Sequence, residues 1–167
     1  MRIPSPTVRW TVIAACFLSG TLFIIAWSFW YASRGGNQLE LSYEHIASGI
    51  FGQMAYSSGV MMIPAGIVLH YFIALGWAIV YLFAYPHISF LRKNIFLSGL
   101  VYGLFAWGVM TFIFIPLRFL QPPPFSPKWW WLIFAAFHCF CIGLPDSIVI
   151  GRYYRQMTPT EKESTGI

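Results

Sequence analysis

Three ionisable side chains, His70, His138 and Asp146, stand inside long apolar runs of a 167-residue chain. Such groups are costly in hydrocarbon, so each is a candidate for function. His138 and Asp146 are eight residues apart, which on a helix sets Asp146 about two turns further along and about 80° around, so both can face one interior. At 1.5 Å per residue His138 lies about 14 Å past Trp129, and His70 falls in the outer half or near the middle of another run, depending on where that helix starts, so the two can share a depth. Two imidazoles at one level have three uses. They can bind protons, because an unperturbed imidazole titrates near pH 6.5 and an apolar medium resists its cation; the protons would arrive past Glu40, Glu44 and His45. They can be axial ligands of haem b, or flank a quinone among aromatic rings. They can also simply donate to carbonyls or hydroxyls within a bundle. Asp146 has two readings: a member of a relay, or a boundary carboxylate paired with Arg92, Lys93 or Arg152. Pro145 before it removes a backbone donor and frees the carbonyl of Cys141.

The elements that must hold these groups follow from composition. The chain is 58% hydrophobic and 9% charged, whereas soluble domains carry roughly 25% charged residues. Too few polar residues remain to clothe a soluble globule, so the expected class is an integral membrane protein. Four runs fenced by charges reach the ~20 apolar residues that a spanning helix needs: residues 11–32, 59–85, 95–117 and 129–150. The expected fold is all-α, with four transmembrane helices in a single domain over residues 1–155 and a disordered cytoplasmic tail over 156–167. The second run contains Pro64 and Gly66, so its helix can start as late as Ile63 with Pro64 in the first turn. The first run is longer than a signal-peptide core of about 7 to 15 residues and lacks an Ala-x-Ala end, which predicts an uncleaved span.

Orientation follows from the basic residues. Arg2, Arg9, Arg92, Lys93, Arg152, Arg155 and Lys162 fall on one side, and Arg34, Arg118 and Lys128 on the other, seven against three. Positive-inside logic puts both termini in the cytoplasm of a bacterial inner membrane. Trp129, Trp130 and Trp131 then form an interfacial anchor belt, and Arg118 is an interfacial anchor that can pair with Glu40 or Glu44 or hold a lipid phosphate. In the first outer connection Leu39, Tyr43, Ile46 and Ile50 recur at four, three and four residues. With Asn37 as N-cap and Glu40 as its capping-box partner, this predicts a short amphipathic helix on the outer membrane surface, Glu40 and Glu44 facing away from the apolar stripe. The proline run at 121–127 predicts a stiff extended strap.

Small residues suggest where helices meet. Gly99 and Gly103 form one row, and Ala135, Cys139 and Gly143 another; each suits an internal helix contact or a homo-oligomer face. The other partner is membrane lipid. The basic residues are too scattered for a nucleic-acid site. Cys16, Cys139 and Cys141 sit in apolar runs, and the last two lie on opposite sides of a helix, so neither a disulfide framework nor a metal site is expected. No catalytic or nucleotide-binding motif is present, which favours a non-enzymatic role.

From His70 to about Arg155 the chain resembles the YagU-type family of small bacterial inner-membrane proteins. The matching features, in order, are His70 opening a helix that carries Tyr81; Pro86 and the basic pair Arg92 and Lys93; Gly99-Leu100 and Gly103; Ile115-Pro116-Leu117; Pro122 to Pro124; His138 with an acidic residue eight later; and the basic exit Arg152 and Arg155. Asp146 stands where that family carries glutamate, Pro145 is an addition, and residues 1–60 have no counterpart. The resemblance implies an interior role for His70, His138 and Asp146 and a link to acid resistance. The reading that follows is a four-helix inner-membrane protein, without catalytic residues or a metal, that contributes to envelope or acid-stress homeostasis through protonation of buried histidines. The alternatives are a redox-linked subunit holding haem b or quinone between the second and fourth spans, and a protomer of an oligomeric transporter.

Overall fold

The computed structural model describes residues 6–35, 38–116 and 129–157. All regular structure among them is helical: α1 (Pro6–Ala32), α2 (Gln38–Phe51), α3 (Met54–Ser57), α4 (Ile63–His87), α5 (Ser89–Lys93), α6 (Ile95–Val109), α7 (Trp129–Phe137) and α8 (Leu144–Gln156). Local chemistry sets the boundaries. A 3-10 turn over Gly59–Met62 leads into α4, whose first turn holds Pro64, where a missing amide hydrogen removes no helical bond. Asn94 caps α6 by accepting from the Leu97 amide at 3.1 Å. Gly52, at φ 60°, ends α2 in the left-handed conformation that glycine adopts without strain.

Four helices are long and apolar enough to cross a membrane: Thr7–Ala32, Gly59–His87, Ile95–Phe114 and Trp131–Gln156. Their outward faces are apolar as well, with Phe29 77% and Leu132 75% exposed. An apolar coat of this extent suits lipid better than water. The interior is rich in small residues and tyrosines, among them Ala15, Ala74, Ala78, Tyr81, Tyr85, Tyr102 and Ala106.

Two of these helices contain a wide π turn. Over Met110–Phe114 the Ile115 amide donates to Met110, and over His138–Gly143 the Leu144 amide donates to Cys139. The second precedes Pro145, whose ring would clash with a carbonyl held at α-helical spacing, and a widened turn relieves that clash. It also carries a very close helix contact. Gly99 and Gly103 lie against His138, Cys139, Gly143 and Ser147 so closely that a Cβ on any of the three glycines would collide with backbone or with the Ser147 hydroxyl. The two small-residue rows therefore face each other within one chain.

Some boundaries differ from the expected ones. The second long helix runs to His87, and the fourth continues past residue 150 to Gln156. That extension is held by α4: Tyr154 donates to the Leu82 carbonyl at 3.0 Å and stacks on Tyr85 at 4.8 Å. The larger difference concerns α2. The helix forms, but of the expected apolar stripe only Tyr43 is buried while Ile50 is 68% exposed, and the packed face takes in Ser42, Glu44, Ala47 and Ser48. The cause is α4, where Gly66 lets the α2 backbone approach until a Cβ there would come within 2.5 Å of the Tyr43 carbonyl oxygen. Asn37 as a cap, Arg118, the strap at 121–127, the end of the tail and the side chains of Trp129 and Trp130 lie outside the described residues.

Candidate functional site

One face of α1 carries an aromatic at every fourth position, Phe23, Trp27 and Tyr31, and these three rings form one wall of a cavity of about 510 Å³. His70 and Trp77 enter from α4, seven residues apart and so on one face. Trp107, Met110 and Thr111 come from α6 and its π turn, and Trp131, Phe134 and His138 from the fourth long helix. His45, Ile46 and Gly49 of α2 cover one end. Three of the chain's four histidines thus meet on a single, mostly apolar space.

Phe23 links the two deep imidazoles. Its ring stacks on His70 at 5.3 Å and 24° and meets His138 nearly at right angles at 4.9 Å. Each imidazole also holds a carbonyl, His70 Nε2 that of Gly20 at 3.1 Å and His138 Nδ1 that of Phe134 at 2.7 Å. A carbonyl only accepts, so these nitrogens carry the hydrogens and the tautomers are fixed. The remaining nitrogens, His70 Nδ1 and His138 Nε2, are the basic positions. A proton taken up on either one creates a cation beside the Phe23 ring, and His70 lies over the electron-rich face that attracts it. A second proton would meet repulsion from the first.

Haem ligation by both histidines would require the imidazoles to face each other across a plane. Phe23 touches both rings, and His70 Nε2 is engaged with the Gly20 carbonyl, so a haem held by both would have to take His70 through Nδ1 or break that bond. Among the described residues no group of three His, Cys, Asp or Glu side chains is placed to hold a metal ion.

The other expected site residues scatter. His45 reaches the cavity, with Nδ1 3.0 Å from the Tyr56 hydroxyl. Glu40 and Glu44 are not among the residues lining it: Glu44 is buried in α2, and Glu40 lies beside Gly59. Trp131 packs inward on Phe112 and Trp107, at 6.1 and 6.5 Å. Asp146 is 0% exposed and does not line the cavity. Neither of its oxygens has a hydrogen-bond partner, which replaces the expected pairing with Arg92, Lys93 or Arg152. The reason is depth: α8 continues about three turns beyond Asp146, carrying Arg152 and Arg155 to exposed positions at the bundle end. Phe23, the ring that joins the histidines, was not among the expected residues; the four-residue aromatic spacing of α1 is the sequence signal that points to it. Comparison of the chain with protein-family models, with curated proteins and with solved structures gives no match in any of the three.

Proposed function

We propose that this protein is a proton-responsive, non-enzymatic membrane protein that serves envelope or acid-stress homeostasis, with both termini on the cytoplasmic side and α2 covering the outer mouth of the cavity. The observation that carries this reading is the convergence of His45, His70 and His138 on one aromatic cavity, with the two deep imidazoles in contact with a single ring. Acid charges an imidazole, and a charge inside an apolar bundle must be met by rearrangement of what surrounds it. The resemblance to the YagU-type family supports the same role. The cavity volume lies within the ~300–1,000 Å³ typical of small-molecule sites, which favours a second reading in which a ring-bearing lipid such as a quinone occupies it.

Four tryptophans, Trp27, Trp77, Trp107 and Trp131, line the cavity and report on it. Titrating the purified protein from about pH 8 to 4 is expected to quench tryptophan fluorescence as imidazolium forms, and His138→Ala to remove most of that change. An identical profile in wild type and variant would reject the proposal.

A further inference from the structure

We infer that Asp146 is the centre of a buried site for a monovalent cation, a proton or Na⁺, separate from the histidine cavity. Asp146 is fully buried in the first turn of α8, and both Oδ1 and Oδ2 are without a hydrogen-bond partner. Among the described residues no basic side chain is paired with it. The titratable groups around it are Cys16 of α1, Tyr81 of α4 and Tyr102 of α6, with the Ser19 hydroxyl of α1 beside its carboxyl.

Following the hydroxyl hydrogens shows what this surrounding offers. Ser19 donates to the Ala15 carbonyl at 2.8 Å, and Tyr102 to the Trp77 carbonyl at 2.6 Å. Ser98 donates to the Ile95 carbonyl at 2.9 Å, so in its 3.0 Å contact with Tyr81 it is the Tyr81 hydroxyl that donates. Ser19, Ser98, Tyr81 and Tyr102 each give the hydrogen to another acceptor and present lone pairs instead, and Ser19, beside the carboxyl, could turn to it only by releasing the Ala15 carbonyl. Pro145 supplies no amide hydrogen either. A bare carboxylate in such a shell has neither a donor nor a counter-charge, which is the costliest arrangement for a buried acid. A proton on the carboxyl, donated to Ser19 Oγ, or a Na⁺ shared between the carboxyl and the hydroxyl lone pairs, resolves it with no change of fold.

Asp146 is the only aspartate in the chain, so labelling the side-chain carboxyl of aspartate with carbon-13 isolates this one group in the wild-type protein. The infrared spectrum is taken in bilayers near pH 7, first in choline chloride and then with Na⁺ in place of choline. A carboxylic-acid stretch in both salts is the expected result for a proton site. A spectrum that changes only when Na⁺ is added supports a Na⁺ site. An ionised carboxylate stretch of unchanged position in both salts overturns the inference. Loss of the histidine response described above would leave any of these results standing, so the two readings fail separately.

Discussion

Gly143→Ala is expected to destabilise the protein by about 3 kcal/mol, at the upper end of what overpacking usually costs. The added methyl would strike the Gly99 carbonyl and the Gly103 backbone, neither of which can rotate away as a side chain would. Relief requires α6 and the fourth long helix to separate, and with them the seam that positions His138. Such contacts matter more in a membrane than in water, because lipid leaves close packing as a principal force between helices. Gly108→Ala is the matched control: a Cβ there meets nothing within 4 Å, so its stability should stay within about 0.5 kcal/mol of wild type or rise through better helix propensity. Unfolding of the purified proteins in detergent, by heat or denaturant, separates the two outcomes.

Phe23→Ala is expected to cost about 2 kcal/mol and to blunt the acid response. Phe23 is 6% exposed and touches His70, His138, Trp27 and Phe137. In the membrane setting proposed above an unfolded helix still shelters its phenylalanine, so the loss comes mainly from the void left behind, at about 24 cal/mol per Å³ over roughly 100 Å³. The functional effect follows from the stacking order. Trp27 lies on Phe23 at 5.7 Å and 24°, and Phe23 on His70. Without the middle ring the indole is no longer held against the group that changes charge, so the pH-dependent quenching should shrink although both histidines remain.

The long helices were legible because apolar runs fenced by charges leave few alternatives, and Pro64 marked the start of α4. The packed face of α2 was not. Its apolar stripe was assigned by contrast with a polar surrounding, whereas α2 meets α4 where Gly66 admits the Tyr43 backbone, and Glu44, Ala47 and Ser48 are buried along with Tyr43. His70 and His138 were found from their cost in lipid, and the structure brings them to one cavity. Asp146 was found by the same reasoning, yet it does not join them. Eight helical residues from His138 predict a shared face only if the helix is regular, and the π turn over His138–Gly143 alters that register. Pro145 hinted at a backbone irregularity without giving its form. Phe23 was hidden among 16 phenylalanines, since nothing in its type sets it apart until the helices are assembled.

The central claim is that the imidazoles of the cavity bind protons within a folded bundle. Nitrogen-15 NMR of histidine-labelled protein in bilayers reads this directly, with four histidines to resolve and His70→Ala and His138→Ala to assign two of them. Near pH 8 the hydrogen is expected on Nε2 of His70 and on Nδ1 of His138, as their carbonyl bonds require. On acidification to about pH 4, at least one of the pair should gain its second hydrogen and become imidazolium while the helices persist. If both rings remain neutral throughout, or charge only as the bundle unfolds, the proton-responsive account is wrong.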